Sequence, residues 1–175
     1  MKAYLDIETD RSGKVCVIGV FLQGQGFVQM YGTNITAENL EEILSQATTI
    51  VTFNGDLFDL PVLEKSFNLD LKSRHLSIDL HKVKKKLGIK GGLKELEKMY
   101  GIPRNTWGIN GYKAILLWEK YQRTGRSEAL ALLLEYNRED VINLIALEKV
   151  FLDHMEERRM EDDNDSGIVR DQLPV

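Results

Sequence analysis

From Ala3 onward apolar and polar side chains alternate, with Ala3, Leu5 and Ile7 on one side and Tyr4, Asp6 and Glu8 on the other. A period of two belongs to a strand with unlike faces, and Asp10-Arg11-Ser12-Gly13 supplies turn chemistry where it ends. The apolar run Val15 to Leu22 then predicts a second strand. Gly24-Gln25-Gly26 turns the chain into Phe27 to Tyr31, completing a three-stranded antiparallel meander. The period changes near Thr36. Leu40, Ile43, Leu44 and Ala47 now share one face and Glu38, Glu41 and Glu42 the other, as in an amphipathic helix.

Thr49 to Phe53 reads as a short buried strand, broken by Asn54-Gly55, and Pro61 suits the first turn of a helix reaching about Phe67. Ser77 to Asp79 predicts a fifth strand. Helices follow over Leu80 to Leu87, Leu93 to Tyr100, Gly111 to Arg123 and Ser127 to about Met155. Strands first, then a strand-helix-strand unit, then helices, predict an α/β domain: a mixed five-stranded sheet covered by helices.

Composition narrows the class. With 175 residues, 43% apolar and 29% charged, the chain suits one globular domain. The single Cys16 excludes an intrachain disulfide; it reads as a small buried hydrophobe in a reducing compartment. The N-terminus carries no signal-peptide core, and the longest apolar run, Ala129 to Leu134, is far short of the roughly 20 residues of a membrane span. The expectation is a soluble cytoplasmic protein with no membrane partner.

A net charge of −4 conceals a division. Residues 153–175 hold eight acids and three arginines, whereas residues 72–104 carry ten Lys or Arg against three acids. The acidic end predicts a disordered tail over residues 156–175 beyond a domain spanning residues 1–155. The basic segment, including Lys82, Lys84, Lys90, Lys94 and Lys98, has the charge to follow a phosphate backbone or to form a solvated helix face.

Candidate chemistry lies in three places. Asp6 and Glu8, two apart on a strand, project from the same face. Asp59 falls at a helix start, where an N-cap role is the alternative to a functional one. Tyr136 and Asp140, four apart in a helix, present a phenol and a carboxylate together. Oxygen ligands from separate elements suit hard divalent cations, and without cations clustered carboxylates raise one another's pKa. Asp79, at a strand-to-helix junction, reads as an N-cap. The three histidines lack zinc-ligand spacing.

In this order, Tyr4-Leu5-Asp6-Ile7-Glu8-Thr9, Asn54-Gly55 with Phe58-Asp59-Leu60-Pro61, and Tyr136-Asn137-Arg138-Glu139-Asp140 resemble the three motifs of the DEDD exonuclease superfamily, which has the ribonuclease-H-like fold. The wider pattern, with Gly92-Leu93-Lys94, is similar to the YprB-like predicted 3′ to 5′ exonucleases over about residues 1–150. Glu135 stands where the histidine subtype would place its base, so the resemblance is to the tyrosine subtype (DEDDy).

The resemblance implies a 3′ to 5′ exonuclease acting on single-stranded nucleic acid, DNA ahead of RNA, with two divalent ions, Mg²⁺ or Mn²⁺. It gives Asp6 the role of bridging ligand, with Glu8 and Asp140 completing one metal site. Asp59 would hold the second ion mostly through water, and Tyr136 would orient the attacking water. Ile7, Thr9, Asn54 and Phe58, inside the first two motifs, are candidate substrate contacts. So are Lys90 in the basic segment and Trp107, whose indole could stack on a base. The alternatives are a catalytically silent nucleic-acid-binding module of the same fold, a ribonuclease-H-type endonuclease and an interaction protein working through its acidic tail.

Overall fold

The computed structural model describes residues 1–168. The predicted meander is present as β1 (Lys2–Thr9), β2 (Val15–Leu22) and β3 (Gly26–Tyr31), paired antiparallel. Helix α1 (Ala37–Leu44) follows, and the Thr36 side chain caps it by accepting from the Asn39 amide at 3.1 Å. Strand β4 (Thr49–Thr52) then returns parallel to β1. After α2 (Asp59–Phe67) and a one-turn helix α3 (Leu71–Arg74), not anticipated from the pattern, β5 (Leu76–Asp79) adds parallel to β4. The sheet order is β3-β2-β1-β4-β5, which puts β1 at the centre.

The sheet is covered on both faces. Ala3, Leu5 and Ile7 of β1 pack with Ile18, Val20 and Ile50 against Leu40 and Leu44 of α1 and Leu60 and Leu63 of α2. On the opposite face lie α4 (Leu80–Lys86), α5 (Leu93–Met99), α6 (Gly111–Thr124) and α7 (Ser127–Ile168). Tyr4 and Val51 meet Val141, Leu144 and Leu147 of α7 there, while Val17 meets Ala114 of α6 and Leu133 of α7. Each such apolar side chain contributes about 1.5–3 kcal/mol when fully buried, so both layers are needed to close the domain. The face of β1 bearing Asp6 and Glu8 is therefore no solvated face: α7 lies over it.

Helix α7 runs on to Ile168 instead of ending near Met155. Residues 156–161, Glu-Glu-Arg-Arg-Met-Glu, are charged yet all strong helix formers, and Arg158 donates to the Leu87 carbonyl. The boundary expected at residue 156 thus lies inside a continuous helix, and residues 169–175 of the expected tail fall outside the described residues. No helix among the described residues is long and apolar enough to cross a membrane.

Candidate active site

The carboxyl ends of the parallel strands β1, β4 and β5 point to one edge of the sheet, the usual place for a ligand in an open α/β fold. Asp6 and Glu8 stand on the last part of β1, beneath α7. One carboxylate oxygen from each of them and one from Asp140 on α7 lie within 4.8 Å of one another. The fourth expected acid joins them from α2: the Asp59 carboxylate accepts from the Ile7 amide at 3.1 Å. Its side chain is thus turned to β1 and caps nothing; the residue at the N-cap position is Phe58.

A missing side chain makes the first contact between strand and helix possible. Gly19 is the cross-strand partner of Asp6, and a Cβ on it would lie 2.4 Å from Oδ1 of Asn137. Asn137 therefore fits against the bare backbone, donating from Nδ2 to the Asp6 carbonyl at 3.1 Å and to Asp6 Oδ2 at 2.9 Å. Its own Oδ1 accepts from Gln29 at 2.7 Å, which fixes the amide orientation. Asn137 is fully buried and lay unremarked inside the third motif; the signal that could have found it is the glycine opposite Asp6.

Asp140 is held by two cations. Lys94, on α5, donates to Tyr136 Oη at 2.9 Å and to Asp140 Oδ1 and Oδ2 at 3.0 and 3.2 Å. Arg104, wholly buried, donates to Asp140 Oδ1 and forms a bidentate pair with Glu97 at 2.6 Å on each arm. Asn143 adds a bond to Glu97 at 2.9 Å. The carboxylate of Glu139, beside Asp140 in sequence, accepts from the amides of Asn105 and Thr106, tying the loop that carries Arg104 to α7. Sequence reasoning placed Lys94 in a basic segment that could track phosphate or form a solvated helix face and gave Arg104 no role, because both act through contacts distant in the chain.

A third feature shapes the edge. Asn54 adopts a left-handed conformation (φ 67°), and a Cβ on Gly55 would lie 2.4 Å from the Thr52 side chain, so the turn after β4 is tight enough to demand this pair. Asp79 Oδ1 accepts from the Asn54 amide at 2.7 Å and from the His81 amide at 2.9 Å. The N-cap expected of Asp79 is present, and it also pins the turn that leads to Asp59.

Negative charge outweighs positive charge here. Burial, followed by the neighbouring Asp140, Asp59 and Glu8 carboxylates, pushes the Asp6 carboxyl well above the usual range. Glu8 is raised in the same way, first by burial and then by Asp140. Burial, with Asp79 and Asp140 adding, pushes Asp59 up to about 7 despite its bond from Ile7. Burial and the nearby carboxylates also raise the Tyr136 phenol, which stays protonated at neutral pH. Arg104 keeps its charge: burial opposes it, but Glu97 and Asp140 outweigh burial.

The donor set is oxygen throughout, contributed by separate elements and concentrated into a few ångströms, which fits a hard divalent cation. The candidate substrate contacts are less uniform. Ile7 is buried and Thr9 partly so, while Phe58 is 45% exposed at the start of α2. Trp107 is 43% exposed, with the Lys98 ammonium 5.0 Å from its ring centre, and Lys90 is exposed. Much of the basic segment is engaged internally: Lys72 and Lys82 pair with Asp56, Lys84 is buried and Lys94 is on Asp140.

No curated protein matches this chain. Among solved structures, it is similar to the family B DNA polymerase from the hyperthermophilic archaeon Pyrobaculum calidifontis, with a TM-score of 0.68 at 14% identity. The likeness covers 86% of this chain and 24% of that one, so this chain corresponds in length to about a quarter of the polymerase. At that identity the shared property is the fold. A family model of the RNase H superfamily matches residues 3–152, which takes in the sheet but for Lys2 and includes all four acids. The chain belongs to the RNase H superfamily.

Proposed function

We propose that the protein is a 3′ to 5′ exonuclease of the tyrosine-bearing DEDD type, similar to the YprB-like exonucleases, that removes nucleoside 5′-monophosphates from single-stranded ends, DNA ahead of RNA. The observation that carries this reading is the convergence of Asp6, Glu8 and Asp140 within 4.8 Å, with Asp59 bonded to the same strand. Membership of a nuclease superfamily and the fold shared with a DNA polymerase support it.

Asp6, Glu8 and Asp140 would hold one Mg²⁺ or Mn²⁺, and Asp59 together with Asp6 a second. Bound there, the ions supply an activated water and neutralise charge that builds on the phosphoryl oxygens. The chain's own groups do the positioning. Tyr136, a protonated phenol, orients the attacking water and does not accept its proton. Asn137 fixes Asp6, and Arg104 fixes Asp140, so neither ligand must reorganise during reaction. The water oxygen bonds to phosphorus while the bond from phosphorus to the 3′ oxygen breaks; the water's proton passes to solvent, the 3′ oxygen takes one up from solvent, and the phosphate stays on the released nucleotide.

The test is a panel of single strands labelled at either end, with Mg²⁺ or Mn²⁺. A ladder from the 5′-labelled strand, immediate mononucleotide from the 3′-labelled one and an uncut covalently closed circle are expected. Opening of the circle would point instead to an endonuclease, and no cleavage of any strand would refute the proposal.

A further inference from the structure

Two cations share Asp140, but they are not equivalent. Arg104 has no exposed side-chain surface, and three further groups, Glu97, Thr106 and Glu139, surround its guanidinium. It cannot leave without stranding charge in the interior. The Lys94 side chain is 30% exposed, sits on a two-turn helix and ends a flexible four-carbon stem. Lys94 is the cation that can swing out to water.

The two Asp140 oxygens are also unequal. Oδ1 accepts from both Arg104 and Lys94, whereas the Oδ2 bond comes from Lys94 at 3.2 Å. A divalent ion ligated by Asp140 needs a carboxylate oxygen at close range and brings two positive charges beside the ammonium. Arg104 can retain Oδ1 while the ion takes Oδ2; the ammonium cannot keep its present place at the same time. Its other contacts, Tyr136 Oη at 2.9 Å and the Tyr136 ring at 4.4 Å, are to a neutral group and do not hold it against a competing charge.

We propose that Lys94 competes with the divalent cation for Asp140, a displaceable internal cation that sets how much metal the site requires. This rests on the reading that the acid cluster binds divalent ions, and it adds that the affinity is held down by a residue of the chain itself. Displacement would also free the Tyr136 hydroxyl from its lysine donor as the ion arrives, so that phenol and ion become ready together.

The test is calorimetric titration of Mn²⁺ into the wild-type protein and the Lys94→Met and Lys94→Gln variants, without nucleic acid. Arg104 still donates to Asp140 Oδ1 in both variants, and thermal melting checks that they are folded. The expected result is Mn²⁺ binding at least about tenfold tighter in both variants than in the wild type, about 1.4 kcal/mol. Wild-type binding with equal or weaker affinity in the variants would overturn the competition and leave the exonuclease reading standing. Absence of Mn²⁺ binding in the wild type and in both variants would remove the metal site and the competition together. As a second measurement, Mg²⁺ should speed reductive methylation of Lys94 in the wild type; an unchanged rate would count against displacement.

Discussion

Helix α7 twice sets an acid beside a phenol and an ammonium, once against β1 and once against α5, and the two places differ in everything that matters for chemistry. Toward the start of the strand, Glu148 accepts from the Tyr4 hydroxyl at 2.6 Å and from Lys2 at 2.8 Å. Two turns away, Asp140 stands with Tyr136 and Lys94. At the first place one acid faces one ammonium and one phenol, and each is satisfied. At the second, Asp6, Glu8 and Asp59 add three more acids, and their carboxyls are driven above the usual range. The first trio fastens helix to sheet. The second crowds acids together at the cost of raised carboxyls, a strain that a bound cation would relieve, and this is why it is the place proposed for the site.

The largest expected effects fall on reaction. Asp6→Asn and Asp140→Asn should each abolish strand degradation in Mg²⁺ or Mn²⁺ with circular dichroism unchanged, while Glu148→Gln should degrade strands at the wild-type rate. Equal losses in all three would erase the distinction between the trios.

Stability comes next. Arg104→Met removes the buried partner of Glu97 and Asp140 and should cost about 3–5 kcal/mol in denaturant unfolding, whereas Lys2→Met, at a partly exposed pair, should cost less than about 1 kcal/mol. Glu148→Gln should fall between, at about 1–3 kcal/mol, because it weakens bonds to a charged acceptor without emptying the space.

The last effect is a pH dependence that comes from the acids crowded around the second trio. In chelator, the folded protein keeps protons on Asp6, Glu8 and Asp59 that the unfolded chain gives up near pH 4. The folded state therefore binds more protons over that window. The stability these groups contribute is full below the unfolded value and is lost as pH rises through the folded values, about 7 for Asp59. Scanning calorimetry should show wild type melting about 5 °C higher at about pH 5.5 than at about pH 8, with a flatter profile for Asp59→Asn. An identical slope in the variant would contradict this origin.

What could be read from the sequence was what is local. Alternation placed Asp6 and Glu8 on one face of a strand, and a spacing of four placed Tyr136 over Asp140, because both rules need only neighbours along the chain. Alternation could not say that a helix from more than a hundred residues away covers the acidic face. Asn137 and Arg104 were given no role, and Lys94 was not paired with Asp140, for the same reason: lysine in a helix rich in charge looks like surface until α7 is packed beside it. The continuation of α7 past residue 156 was hidden for a different reason, since net charge was taken as a sign of disorder where Glu, Arg and Met also favour helix.

The most direct measurement of the central claim is anomalous diffraction at the manganese edge from crystals soaked in Mn²⁺. One peak among Asp6, Glu8 and Asp140 and a second beside Asp59 are expected, with the Glu148 trio bare. Saturating Mn²⁺ that leaves no peak at the acid cluster, with Asp140 still bonded to Lys94, would contradict it.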